Sequence, residues 1–179
     1  MKLQPPPRAP EQEQKLIVLQ CLRRFGPCTE LQLLQFLAEH DVMNYFDMMF
    51  ALNELCAQGQ AARRKARAGY RYELTEAGQE ALELFGGRAP RSVMTLLDEK
   101  GDAWRARFQR EAQSHAKLRQ TDTGEYETEL EVTEGDTPLM ALKLTLPTRE
   151  LAAGIAEKWP DRAAEIYDSV IRLLSEDAK

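Results

Sequence analysis

The chain has 179 residues, of which 43% are hydrophobic and 30% charged, with a formal net charge of −5. This composition is typical of a globular protein and excludes fibrous and disordered classes. The first ten residues lack the apolar run of a signal peptide, and no stretch approaches the roughly 18 apolar residues of a membrane span. We therefore expect a soluble, cytoplasmic protein without membrane contact.

Charge is unevenly distributed along the chain. Residues 88–120 carry a net charge of +4, whereas residues 121–179 carry −8. Such asymmetry predicts parts with different partners. The division that we predict is a flexible leader at 1–10, a first domain at 11–87, a connecting helical segment at 88–120 and a C-terminal domain at 121–179.

Two helices are predicted directly after the leader. Apolar residues at helical spacing indicate a first helix that ends at Gly26-Pro27. Thr29 and Gln32 have the spacing of a capping box at the start of a second helix. The residues predicted to form the buried stripe of this second helix are Leu31, Leu34 and Leu37.

A third helix and a basic hairpin are predicted next. Asn44 is suited to cap a helix that ends before Gly59. Two short extended segments follow, at roughly 61–67 and 70–74. A two-residue loop between them would place Arg63, Lys65 and Arg67 opposite the aromatic face, whereas a three-residue loop would place alanines there. The three-residue loop is preferred because it keeps more charge in water.

The remaining elements alternate between helix and strand patterns. Thr75 caps a fourth helix, and a helical pattern then runs from Pro90 to Gln120, where Gly101 either divides it or only weakens it. Two strands with period-two alternation follow, at 125–132 and 140–146. A helix from Thr148 is expected to end at Pro160, with a final helix capped by Asp161.

These elements predict an α+β fold. Its N-terminal part has the order of a winged helix-turn-helix, with three helices plus a β-hairpin wing. It is followed by helices and a second antiparallel β-hairpin with two C-terminal helices, which form a dimerisation or sensing domain. In a winged helix the third helix faces the major groove of DNA and the hairpin lies against phosphates.

Two segments also carry a resemblance to a known family. The segments NYFDMMFALNELCAQGQ and YRYELTEAGQEALELFGGRAP resemble a bacterial domain-of-unknown-function family, numbered 4364, of predicted winged-helix transcriptional regulators. The resemblance extends over nearly the whole chain. It implies a regulator-like N-terminal domain, and it implies no particular ligand, operator or catalytic residue.

The segment RRKARAGYRY, at 63–72, holds five cations and no acidic residue, which is typical of phosphate contact. The third helix instead carries Asp47 and Glu54 and no basic side chain, which argues against deep insertion into DNA. Exposed Phe46 or Phe50 would indicate a protein-binding face. The candidate DNA-contacting residues are Arg63, Arg64, Lys65, Arg67, Arg71, Asn44, Tyr45 and Asn53.

Several charged and aromatic groups have alternative interpretations. The basic hairpin could simply be a charged edge that blocks unwanted strand pairing, or could bind an acidic protein. The glutamates of 125–131 form either a solvated face or a surface that docks on the wing. Trp104 and Phe108 are predicted to lie in the core or a dimer seam rather than to stack on bases, while the arginines beside them could extend the basic surface.

No catalytic or metal-binding pattern is present in the sequence. Cys21, Cys28 and Cys56 lack CxxC spacing and are expected to be reduced thiols packed like small hydrophobic residues, and His40 and His115 are isolated. We expect no enzymatic activity, no cofactor and no metal.

Two function classes remain. The first is a DNA-binding transcriptional regulator that binds double-stranded DNA as a homodimer, with an unidentified small-molecule effector as a further option. The second is a winged-helix protein-interaction module without sequence-specific DNA binding. Exposed polar residues on helix three favour the first, and an exposed aromatic patch favours the second.

Overall fold

The computed structural model describes residues 10–66, 69–135 and 137–176, and shows a mixed α+β fold. One compact unit ends at Phe108 and a second begins at Gln109. The elements are α1 (Glu11–Phe25), α2 (Glu30–Glu39), α3 (Tyr45–Ala57), β1 (Ala61–Ala66), β2 (Gly69–Leu74), α4 (Glu76–Phe85), a 3-10 turn (Gly86–Arg88), α5 (Arg91–Gln113), β3 (Ser114–Gln120), β4 (Tyr126–Glu134), β5 (Thr137–Leu146) and α6 (Arg149–Glu176).

The ends of the first three helices confirm the predictions from local sequence. Gly26 follows α1 with a φ of 75°, a conformation that glycine adopts without steric cost. Thr29 accepts a hydrogen bond from the backbone N–H of Gln32, whose side chain accepts one from the Thr29 N–H, so the capping box is complete. Asn44 caps α3, and Gly59 follows it with a φ of 71°.

The buried face of α2 includes Leu37, as predicted, but otherwise differs from the predicted one. Leu31 is 63% exposed and Leu34 is only partly buried, whereas Leu33, Phe36 and Leu37 are fully buried. The prediction chose the wrong apolar spacing, because both sets of residues satisfy a helical period and five apolar side chains lie within seven residues. The packing against α1 and α3 decides between them.

The start of α4 is held against the end of α3. Thr75 accepts a hydrogen bond from the Gly78 N–H at 3.1 Å and donates one to the Gly59 carbonyl at 2.6 Å. A Cβ at Gly78 would lie 2.1 Å from the backbone oxygen of Gln60. This position therefore requires glycine, because only glycine permits so close an approach between the two backbones.

The helix predicted from Pro90 to Gln120 is confirmed only in its first part. α5 runs without interruption through Gly101 but ends at Gln113, and residues 114–120 form β3 rather than helix. The residues of β3 are good helix formers, yet they pair along their whole length with β4. Cross-strand pairing thus overrides a weak local preference, as is common for strands. The predicted domain boundaries themselves stay predictions.

Trp104 and Phe108 lie in the core of the first unit, as predicted. Their rings pack edge to face at a centroid distance of 5.5 Å, and Phe108 and Phe36 extend the cluster by contacting Phe25. Burial of these large rings contributes strongly to stability. Neither ring is therefore available to stack on a base.

The second unit contains a three-stranded antiparallel sheet with the order β3-β4-β5. The predicted hairpin is confirmed as β4 and β5, and β3 is the strand that the sequence pattern missed. One face of the sheet packs on α6 through Leu130 and Val132 of β4 and Trp159 and Ala163 of α6. This packing buries the apolar faces that a lone hairpin would leave in water.

The predicted break at Pro160 is wrong, because α6 is one continuous helix from Arg149 to Glu176. Proline inside a helix costs about 3 kcal/mol through its missing N–H and its steric clash. Trp159 and Ala163, on either side of Pro160, are both buried against the sheet. The indole N–H of Trp159 also donates to the Glu131 carbonyl at 3.0 Å. These contacts offset the cost, so Asp161 lies within the helix and caps nothing.

Candidate nucleic-acid interface

β1 and β2, here called the basic hairpin, pair in the register that was not preferred. Ala66 lies opposite Gly69, so two residues separate the strands rather than three. Arg63 consequently pairs with Tyr72 and Lys65 with Tyr70. The prediction underestimated how well long cationic side chains cover aromatic rings while their charged ends stay in water.

This register divides the cations between two faces of the basic hairpin. Residues directly opposite each other in an antiparallel pair project to the same face. Arg63 and Lys65 therefore share one face with the two tyrosines, called the tyrosine face below. Arg64 and Arg71 lie opposite each other on the reverse face, where Arg64 forms an ion pair with Glu73.

Strand β1, which carries Arg63 and Lys65, packs against α3. The Arg63 guanidinium lies 3.8 Å from the centre of the Tyr70 ring, a cation–π contact. Burial raises the pKa of the Cys56 thiol near the end of α3, and the positive charge of Arg63 acts in the opposite direction. Burial likewise raises the pKa of Tyr72, and the positive charge of Arg63 again acts to lower it. Arg63 thus lies close enough to both groups to influence their ionisation.

The solvent-facing side of α3 carries exposed aromatic side chains. Phe46 is 79% exposed and Phe50 is 47% exposed, and both lie on one side of the helix because they are four residues apart. Asn53 continues this side one turn further and is also exposed. From the sequence alone, exposure of these aromatic residues was only one option, because Met48 and Leu52 show an equally good apolar spacing.

The two carboxylates of α3 differ in exposure, because Asp47 is buried whereas the Glu54 side chain, one turn after Phe50, is 42% exposed. Asp47 is 5% exposed, and its carboxylate accepts a hydrogen bond from the Asn44 amide at 3.0 Å. Glu54, two turns further on the same side, lies 3.6 Å from the Lys15 ammonium of α1. The repulsion that these acids would exert on phosphate is reduced by both arrangements.

The candidate residues on α3 have different surroundings. Asn44 uses its side-chain oxygen to accept the Asp47 N–H and its amide to bind the Asp47 carboxylate, so a base contact would compete with both bonds. Tyr45 is exposed and donates its hydroxyl proton to Glu30 at 3.1 Å. This bond raises the pKa of Tyr45. Asn53 remains the candidate best placed to contact a base.

The structure places Arg63 and Lys65 on one face of the hairpin and Arg64 and Arg71 on the other. Arg67 lies outside the described residues. Tyr70, half exposed beneath Arg63, was not among the predicted site residues, although its position in an alternating Tyr-Arg-Tyr segment could have indicated it.

One glutamate of strand β4 forms ion pairs within its own sheet. Glu127 is 6% exposed and binds the Lys143 ammonium at 2.6 Å, and it also pairs with Arg119. The hydrogen bond from Lys143, followed by that from Arg119, lowers the pKa of Glu127 below its ordinary value. This carboxylate is therefore not simply solvated, as the alternation predicted, and its ion-pair partners are the neighbouring strands β3 and β5.

In the described ranges 10–66, 69–135 and 137–176, no three His, Cys, Asp or Glu side chains form a group suited to a metal ion. Across the same residues, no helix has both the length and the apolar character needed to cross a membrane. Burial raises the pKa of the Cys28 thiol to about 12, which leaves it protonated and unreactive at neutral pH.

Comparisons with known proteins give one match. Searches of curated proteins and of solved structures each found no protein that matches this chain. A family model described as a domain of unknown function, DUF4364, matches residues 14–174, which include both compact units almost completely. The chain belongs to the DUF4364 family.

Proposed function

We propose that the first unit is a winged helix-turn-helix and that the protein is a DNA-binding transcriptional regulator. In this proposal the basic hairpin is the wing and α3 faces the major groove. The element order of three helices, hairpin and capped helix supports this assignment. The observation that carries it is the tyrosine face, where exposed Arg63 and Lys65 share one side of a hairpin whose first strand packs against α3.

The charges around α3 are compatible with this role. Asp47 is turned into the protein and Glu54 lies close to Lys15, so both carboxylates of α3 are partly neutralised or withdrawn from solvent. Contacts of Arg63 and Lys65 with phosphate would supply affinity without base specificity. Sequence preference would then depend on Asn53, because amide side chains bind the major-groove edge of adenine.

Fluorescence anisotropy with a random-sequence duplex tests the proposal. The double variant R63A/K65A should bind clearly more weakly than the unchanged protein. R64A/R71A removes the same number of cations from the reverse face and should have a smaller effect. R162A removes an exposed cation of the second unit, where Arg162 pairs with Glu165, and should have none. Equal affinity of R63A/K65A and the unchanged protein would remove the tyrosine face from the mechanism.

A second candidate function is a protein-interaction module that never contacts bases. The exposure of Phe46 and Phe50 favours it, because exposed aromatic patches are typical of protein interfaces. Under this alternative, F46A/F50A would abolish a complex with another protein, while R63A/K65A and the unchanged chain would be equally poor DNA binders.

We also propose that the second unit pairs two copies of the chain. The last turns of α6 expose Ile171, Leu173 and Leu174, which continue the apolar side that packs on the sheet further back. Pairing would place two basic hairpins on one duplex. A monomeric mass in light scattering at the concentrations used for DNA binding would refute the dimer. An effector for this unit, and a cytoplasmic location, stay predictions.

A further inference from the structure

A small polar cleft lies between the end of α1 and the middle of α5, within the first unit. Its volume is about 190 Å³, which is smaller than the roughly 300–1,000 Å³ of pockets that hold drug-sized ligands. It is here called the arginine cleft, and the residues that line it include Gln20, Arg23, Arg24, Leu97, Asp98 and Arg105. A cleft of this size suits one small group of a ligand rather than a whole drug-sized molecule.

Arg24 is held in place on one side of the arginine cleft. A Cβ at Gly101 would lie 2.5 Å from the Arg24 Nε and 2.6 Å from its Cγ, so the arginine side chain lies directly over this glycine of α5. Its guanidinium also forms an ion pair with Asp102 at 3.1 Å. The Nε is buried and has no hydrogen-bond partner among the described residues. A buried donor of this kind is unfavourable, and an anion beside the guanidinium would partly compensate it.

The other two arginines of the cleft are not neutralised by ion pairs. Arg23 and Arg105 are exposed, and in the part of the chain that the structure describes neither forms an ion pair with a carboxylate. The three positive charges of the cleft, set against the negative charges of Asp98 and Asp102, leave a net charge of +1. Like charges that converge on one cleft repel each other, and a bound anion would relieve this repulsion.

The donors of the cleft favour phosphate over a carboxylate as the anion. Guanidinium groups present N–H donors in a planar fork that matches the oxygens of phosphate, which can accept from several arginines at once. Gln20, only 3% exposed, lines the same cleft and adds amide donors. A carboxylate has fewer oxygens and less charge than a phosphate, so it would engage fewer of these donors.

We propose that the arginine cleft binds the phosphate group of a small phosphorylated ligand. Arg23, Arg24 and Arg105 bind the phosphate oxygens, and the rest of the ligand lies outside the cleft because the cleft accommodates only a small group. Asp98 opposes the anion and limits its affinity. The site is separate from the basic hairpin, since these residues belong to α1 and α5, and the inference does not depend on the proposed DNA-binding function.

The test is a ³¹P NMR titration of phenyl phosphate with the full chain at constant ionic strength. The unchanged protein should produce a saturable change in the phosphorus signal. R23A/R105A should bind about 10-fold more weakly or worse, because hydrogen bonds between charged groups are lost. D98N removes the opposing charge and should bind about threefold more tightly. Benzoate, which has the same ring but a carboxylate, should not displace phenyl phosphate at equal concentration.

Two control variants separate the arginine cleft from other cationic surfaces. R88A removes an exposed arginine of the same unit that does not line the cleft, and its affinity should stay within about twofold. R63A/K65A should also retain binding, which distinguishes the cleft from the basic hairpin. Urea denaturation should show R23A/R105A unfolding at the same midpoint as the unchanged protein, so that weaker binding reflects lost contacts.

Four results would each overturn the proposal. They are an unchanged affinity in R23A/R105A, loss of binding in R63A/K65A, displacement by equimolar benzoate, and the absence of a saturable signal with the unchanged protein. None of them bears on duplex binding by the basic hairpin, which is measured separately.

Discussion

The interaction between Asn44 and Asp47 permits a quantitative prediction about the start of α3. Replacing Asn44 with alanine removes the N-cap, which typically costs about 1 kcal/mol. It also removes the amide donor to a buried carboxylate, and a hydrogen bond to a charged group is worth about 1.5–3 kcal/mol. The distances of both bonds are 3.0 Å. We therefore expect N44A to lower the free energy of unfolding of the first unit by about 2–4 kcal/mol.

Related substitutions separate the two contributions. N44S keeps an oxygen that can cap the helix but loses the amide donor, so it should be about 1 kcal/mol more stable than N44A. N44D places a second carboxylate beside the one on Asp47 and should be the least stable at neutral pH. N53A changes an exposed asparagine of the same helix and should stay within about 0.5 kcal/mol of the unchanged protein.

Urea denaturation at neutral pH provides the measurement. Trp104 lies in the first unit and Trp159 in the second, so a Trp159→Phe background makes the fluorescence report on the first unit alone. With a denaturant dependence of about 2 kcal/mol/M, the midpoint for N44A should fall by about 1–2 M. The reasoning is refuted if N44A and N53A unfold at the same urea concentration.

Other predictions concern burial and charge. A thiol reagent should modify only Cys56 in the native protein and all cysteines in urea, because the other two are fully buried. L33A should destabilise the first unit by about 3–5 kcal/mol, and L31A by less than about 0.5 kcal/mol, in chemical denaturation. The hydrogen bond from Lys143 favours the ionised form of Glu127. The contribution of this carboxylate to the free energy of unfolding should therefore be fully present above pH 4.5, its ordinary pKa, and should be lost as the pH falls through the lowered pKa. E127Q should lose this dependence, and an unaltered acid-unfolding curve would contradict the assignment.

Features set by local chemistry were predictable from the sequence. The caps at Thr29, Asn44 and Thr75 depend on residues within three positions of each other, and all three are present. The strand at 126–134 was visible because its alternation is regular. Such signals need no knowledge of the rest of the fold.

Features set by distant packing were not predictable. Residues 114–120 become a strand only because β4 offers a partner, and the cross-strand partners of Glu127 and Glu129 are Arg119 and Lys117. α6 continues through Pro160 only because residues on both sides of it pack on the sheet. In each case a tertiary contact outweighs the local preference.

The candidate site was predicted in its composition but not in its geometry. The basic segment and the lack of basic side chains in the third helix are evident in the sequence, whereas the register of the basic hairpin is not. One residue of loop length decides whether Arg63 or Arg64 shares a face with the tyrosines. The burial of Asp47 could not be predicted from the sequence either, because a carboxylate in the first turn of a helix is usually exposed.

The salt dependence of duplex binding tests the central claim that the tyrosine face contacts phosphate. The logarithm of affinity should fall linearly with the logarithm of salt concentration, with a slope of about −0.9 for each phosphate neutralised. Loss of Arg63 and Lys65 should therefore make the slope less steep by about 1.8. Loss of Arg64 and Arg71 should change it less. Identical slopes for the unchanged protein and R63A/K65A would contradict the claim.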